Sequence, residues 1–174
     1  YKPKQKVKFA TLEATKGIDE LKSRLPILLA GKDNAGEFYR DSFYGLFQYA
    51  SNRIPEIADE LYKIDDAVCA GFGWDLGPFQ TWDALGVKAT VEKMQQSGYK
   101  PATWVLEMLQ AGNSSFYQIE HGERKYYDIP SRQYRSIPGK GEFLILENLS
   151  DNVVWKNTDS KITDVGDGVI NFSW

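Results

Sequence analysis

The sequence predicts a mainly α-helical domain followed by a smaller β segment, and three observations carry that reading. Between Thr11 and Gly112, apolar residues recur at spacings of three and four, the period of a helix with one buried face. From Ser114 the period drops to two in short, tyrosine-rich runs, which is the pattern of strands. Glycines and prolines stand where the helical runs stop and restart.

Taken in order, Thr11-Leu12-Glu13-Ala14 offers an N-cap hydroxyl and an early carboxylate. The first helix is expected to run from there through Ile18, Leu21, Leu25, Leu28 and Leu29, weakened by Gly17 and Pro26, to a stop at Gly31. Asp33 caps a second helix whose stripe of Phe38, Tyr39, Phe43, Leu46, Phe47, Tyr49 and Ala50 is the strongest core signal in the chain. Pro55 suits the first turn of a third helix, carrying Ile57, Ala58, Leu61, Tyr62, Ile64, Ala67 and Val68 and ending near residue 70. Pro78 opens a short helix through Trp82 and Leu85 that Gly86 closes. Val87, Val91 and Met94 mark another that stops at Gly98, and Pro101 starts one through Trp104, Val105, Met108 and Leu109 to Gly112. The total is about six helices. Phe116, Gln118 and Glu120 then alternate against Tyr117 and Ile119, and a turn at His121-Gly122 leads into 123–129, which makes a hairpin. Further short strands are expected at 132–136, 143–147 and 152–156. A last hairpin joins 161–164 to 169–172 through Gly166-Asp167-Gly168.

The 174 residues suit one domain, or one domain and a piece of another. With 42% hydrophobic and 26% charged residues the chain is expected to fold. A net charge of −3 gives no field for a polyanion, so nucleic acid is not an expected partner. The lone Cys69 allows no internal disulfide and suits a reducing compartment, the cytoplasm by default. No apolar run is long enough for a membrane span, and the opening Tyr1-Lys2-Pro3-Lys4 reads as the start of an excised piece. One histidine, one cysteine and two methionines supply no soft-metal cluster.

Gly71, Gly73 and Gly77 invite a phosphate-loop reading, but such a loop needs a strand before it and here a helix precedes. Helix termination and close packing explain these glycines better, and Trp74, Phe79 and Trp82 then read as core plugs. His121 at a hairpin tip lacks the concave surroundings of a general base. Cys69 has no partner histidine nearby and reads as a small buried residue. Glu56, Asp59, Glu60, Asp65 and Asp66 lie at helical spacings and read as a solvated face. No catalytic, cofactor-binding or metal-binding constellation emerges. Two rivals stay open: a free-standing helical interaction module, and an acid–base enzyme using Asp75 or Asp83 beside the tryptophans.

The stretch from Ile64-Asp65-Asp66-Ala67 through Gly71-Phe72-Gly73-Trp74-Asp75-Leu76-Gly77-Pro78-Phe79-Gln80-Thr81-Trp82-Asp83-Ala84-Leu85-Gly86 resembles the signature of 3-hydroxyacyl-CoA dehydrogenase helical C-terminal domains. Ala111-Gly112-Asn113-Ser114-Ser115-Phe116-Tyr117 and the hairpin after it resemble the large prokaryotic form fused to an enoyl-CoA hydratase. The resemblance covers residues 3–137 and is to the second helical repeat. Residues 162–170 resemble the opening hairpin of the crotonase-like hydratase domain. It implies a helical domain over 1–138 with a β-hairpin at about 115–129, a linker over 139–160, and a truncated crotonase-like start over 161–174.

The resemblance further implies a parent enzyme of fatty-acid β-oxidation that oxidises 3-hydroxyacyl-CoA with NAD. The parent's partners would be acyl-CoA, its own other domains and, in one arrangement, a second copy in a homodimer. The family's catalytic His and Glu belong to a nucleotide-binding domain with no counterpart here. Its substrate-facing Asn-Arg pair belongs to the first repeat. Asn52-Arg53 lies only 12 residues before Ile64 and is a decoy, and the family's spacing lands near Arg40 and Asp41 instead. The fragment is therefore expected to hold no cofactor of its own and to be inert, packing against the first repeat to shape the acyl-CoA cleft or the subunit interface.

Overall fold

The structure, a computed structural model, describes residues 7–120, 122–140 and 144–174. Seven α-helices come first, α1 (Ala10–Ala14), α2 (Leu21–Ala30), α3 (Asn34–Asn52), α4 (Leu61–Phe72), α5 (Pro78–Leu85), α6 (Val87–Gln96) and α7 (Thr103–Gln110). An antiparallel sheet β1–β2–β3 follows, made of Tyr117–Glu120, Glu123–Asp128 and Gln133–Ser136. A 3-10 segment at Leu146–Asn152 leads into a second antiparallel sheet, β4–β5–β6, made of Val153–Lys156, Lys161–Gly166 and Val169–Ser173.

The core is aromatic and lies among α3, α5, α7 and the first sheet. Phe47 of α3 stacks on Trp82 of α5 with ring centroids 4.7 Å apart and planes 8° apart. Phe116, fully buried, meets Phe79 at 5.1 Å, Trp82 at 5.2 Å and Trp104 at 5.7 Å. Such edge and offset contacts add to the area each ring buries. Buried Leu61, Val87, Met94, Val105 and Met108 complete the interior.

Carboxylates tie the elements together by accepting orphan backbone amides. Asp33 caps α3 by accepting from the Gly36 amide at 3.0 Å, and it also takes the Thr11 amide at 3.0 Å and the Thr11 hydroxyl at 2.6 Å. Those bonds, the Thr11 hydroxyl first, hold its carboxyl down at about 2. Arg40 of α3 donates to the carbonyls of Leu29, at 2.9 Å, and Gly31, satisfying the end of α2.

Several expectations need correction. The first helix is two helices, because Gly17 and the residues after it break the run, and Thr11 lies inside α1 bonded to Asp33 rather than capping it. Pro55 sits in the turn between α3 and α4, and α4 starts at Leu61. The face of α3 that faces the core carries Tyr44, Phe47, Ala50 and Ser51, whereas Phe38 and Tyr49 are 66% and 62% exposed. Leu144 and Ile145 are in no strand and Leu146 begins the 3-10 segment, so the described part of 143–147 is not a strand. His121 lies outside the described residues. The strands expected at 132–136 and 152–156 appear as β3 and β4, and each turns its hairpin into a three-stranded sheet.

Two glycines of one helix–loop stretch meet opposite surroundings. A Cβ on Gly77 would lie 2.4 Å from Asp65 Cα and 2.5 Å from its Cβ and Cγ, while a Cβ on Gly71, inside α4, meets nothing within 4 Å. Gly77→Ala is expected to destabilise by about 3 kcal/mol through this backbone clash. Gly71→Ala should be stabilising by about 0.5–1 kcal/mol through helix propensity. Urea midpoints of both variants check the pair; equal effects would contradict the close-approach account.

Candidate functional site

The chemistry-bearing side chains converge where α4, α5 and β1 meet. Helix α5 is eight residues long and begins with Pro78, which has no N–H. Its first-turn donors are therefore few, and each has a partner. The Phe79 amide donates to Asp65 Oδ1 at 2.8 Å and the Gln80 amide to Asp65 Oδ2 at 3.0 Å, while the Gly77 amide donates to Gln80 Oε1 at 3.3 Å. Tyr117 of β1 adds its hydroxyl to Asp65 Oδ2 at 2.7 Å. Asp83, near the end of the same helix, accepts the Phe116 amide at 2.7 Å and the Tyr117 amide at 2.9 Å. Two carboxylates thus hold helix to helix and helix to strand.

Asp65 is fully buried and Asp83 is partly buried at the edge of a cleft, and for both the loss of hydration outweighs their hydrogen bonds. The Asp65 carboxyl is pushed up to about 7, against the pull of Tyr117, Phe79 and Gln80. The Asp83 carboxyl is likewise pushed up to about 7, against the Phe116 and Tyr117 amides. Burial, and then the charge of Asp65, lift the Tyr117 phenol well above its ordinary range.

Two clefts flank this cluster. One, of about 710 Å³, lies between α4, the first hairpin and the segment before β4. The other, of about 240 Å³, is lined by Lys22, Leu76, Gln80, Asp83, Tyr117 and Arg124 among others. Gln80, Tyr117 and Arg124 line both, and the Arg124 guanidinium sits 5.9 Å from the centroid of the Tyr117 ring.

Asp65 is the residue that sequence reasoning misplaced. Expected on a solvated face, it is fully buried. The available signal was Leu61, four residues earlier on the same face and also fully buried. Phe79 and Trp82 are core plugs as expected, but Trp74 is 45% exposed. Gly73 ends α4 in the left-handed conformation at φ 66°. The α5 amides that a phosphate would need are taken by Asp65, so this glycine segment does not fit a dinucleotide. Cys69 is half-buried, with its thiol raised first by burial and then by the charge of Asp65. Asn52 donates to the Gln48 carbonyl at 2.8 Å and the Lys100 carbonyl at 3.1 Å, and Arg53 pairs with Glu56 at 2.6 Å. Asp41 accepts from the Tyr99 hydroxyl at 3.3 Å. Among the described residues no three His, Cys, Asp or Glu side chains form a group that could hold a metal ion. No helix among them is long and apolar enough to cross a membrane.

The buried carboxyls give stability a pH dependence of definite sign. Their native-state values lie above the ordinary 3.8, so between about 4 and 7 the folded chain binds more protons than the unfolded chain. Stability should fall as pH rises through this window, by up to about 1.4 kcal/mol per pH unit for each group. Asp33 acts oppositely, but only below about 4, where protonation of its carboxyl removes stability. Urea unfolding from pH 4.5 to 8, steps chosen on the order of one unit to span the window, should show a decline that Asp83→Asn flattens; a flat wild-type profile would contradict the burial argument.

Comparison with known proteins adds one relative. Over 171 residues, 97% of the chain, the sequence is 36% identical to a probable 3-hydroxyacyl-CoA dehydrogenase of Bacillus subtilis (strain 168). The chain spans about a fifth, 21%, of that protein's length. No family model and no solved structure matches. The sequence is thus similar, along nearly its whole length, to one portion of a probable 3-hydroxyacyl-CoA dehydrogenase.

Proposed function

We propose that this chain is a non-catalytic helical part of a 3-hydroxyacyl-CoA dehydrogenase, acting as a scaffold for the enzyme's other domains. The observation that carries the reading is the use made of the buried carboxylates. Asp65, fully buried, and Asp83, partly buried and lining the smaller cleft, are the acids beside the clefts, and every oxygen of both accepts a bond from the chain's own backbone. A general base must be positioned within hydrogen-bond reach of a substrate proton, whereas these oxygens are turned to backbone amides of the chain itself. These groups are engaged in holding α5 against α4 and β1.

In the finer form of the proposal, residues 1–138 are the second helical repeat and 161–174 open a crotonase-like hydratase domain, in a large form that carries both activities. NAD would be held by a separate nucleotide-binding domain, since the glycine segment here closes a helix. Similarity to a much longer dehydrogenase supports this, as do the exposed apolar side chains. Phe38, Tyr49, Ile57 and Phe72 of the helical part stand in solvent, Phe72 at 78% exposure, and such side chains suit contact with neighbouring domains. A cytoplasmic enzyme of fatty-acid β-oxidation, acting on acyl-CoA, follows from the same reading.

The test uses the purified 174-residue chain with NAD and 3-hydroxybutyryl-CoA, followed by absorbance of the reduced nicotinamide. No turnover is expected. A rate of about 1 s⁻¹ or more, ordinary for an enzyme, would overturn the scaffold reading.

A further inference from the structure

We infer that the smaller cleft, between α2, α5 and the first hairpin, is a docking site for an acidic side chain. That side chain belongs to a segment of the parent enzyme outside these 174 residues, and its carboxylate sits between Arg124 and Lys22. The existence of such a segment rests on the proposed function, in which the chain is one portion of a much longer dehydrogenase. The cleft measures about 240 Å³, below the roughly 300 Å³ at which small-molecule sites begin, so it suits a side chain rather than a cofactor.

Two cations line the cleft, and among the described residues neither Arg124 nor Lys22 makes an ion pair. Asp83 lines it too, but its two oxygens accept the Phe116 and Tyr117 amides at 2.7 and 2.9 Å. Glu123 precedes Arg124 in β2 and lines the larger cleft instead. Residues 1–6 and His121 contain no acid, so the undescribed positions before α1 and within the first hairpin bring no anion. Arg124 is also held in place, its guanidinium 5.9 Å from the centroid of the Tyr117 ring, and Tyr117 is fixed by its hydroxyl bond to Asp65 at 2.7 Å. A guanidinium held this way offers parallel N–H groups to a carboxylate, and Lys22 adds a point charge on a flexible stem.

The rest of the lining sets what flanks the acid. Leu76, Ala84 and Ile119 are apolar, and Ile119, 47% exposed, stands directly opposite Arg124 in the β1–β2 register. Trp74, close before Leu76 in the sequence, is 45% exposed. An arginine anchor among aliphatic and aromatic side chains is the composition of a protein contact surface. The partner segment is therefore an Asp or Glu with apolar residues beside it.

The test uses the full-length enzyme that contains these residues. A carbodiimide joins a lysine amine to a carboxylate as an amide where the two are in contact, and peptide mass spectrometry identifies the joined pair. Lys22 is expected to join an Asp or Glu outside the 174 residues. Arg124→Gln should lower that yield several-fold by removing the second cation, and Arg124→Lys, which keeps the charge, should retain most of it. No link at Lys22, links only to acids within the 174 residues, or a yield unchanged by Arg124→Gln would each overturn the inference. Those results leave the scaffold reading standing, because it fails on turnover by the chain. A gene encoding these 174 residues alone would overturn both.

Discussion

The fold turns on a carboxylate that has been taken out of water. Asp65 projects from α4 to the first turn of α5 and there meets the two amides that Pro78 leaves to be satisfied. Burying an acid is costly unless donors replace its hydration. Asp65 has three, two from a helix start and one from the Tyr117 hydroxyl. That requirement fixes the distance from α4 to α5, which in turn forces a residue without a side chain at 77. Asp83 repeats the device at the other end of α5, where it receives the start of β1.

Seen this way, the segment from Ile64 to Gly86 is a structural signature before it is anything else. Gly73 turns the chain out of α4, Gly77 permits contact with Asp65, Pro78 starts α5, and Trp82 stacks under Phe47. Asp83 then brings Phe116 into the middle of the aromatic core, where it touches Phe79, Trp82 and Trp104. The helical region and the first sheet are thereby one packed body, although their sequence periods differ.

Local chemistry was legible where local chemistry decides. Asp33 as a cap, Pro78 as a first helical residue, Gly86 as a stop and the two hairpins all follow from their immediate neighbours. Tertiary contacts decide the rest. Asp65 and Asp66 are adjacent acids, one fully buried and the other about half exposed, and nothing in their spacing separates them except the alignment of Asp65 with Leu61. Thr11 has the character of a cap, but Asp33, 22 positions later, recruits its hydroxyl. Phe38 and Tyr49 belong to an aromatic run wider than the face α3 can bury, so helical period alone over-predicted the core. The larger cleft draws on α4, the first hairpin and the segment before β4, and Asn148 in it carries no motif.

The amides of Phe79, Gln80, Phe116 and Tyr117 report most directly on the two carboxylate clasps. If Asp65 and Asp83 hold α4, α5 and β1 together, these four should exchange with deuterium only through global unfolding, at the protection of the innermost helices. Exchange of the Phe79 and Gln80 amides through small local openings, while the core of α3 stays protected, would contradict it.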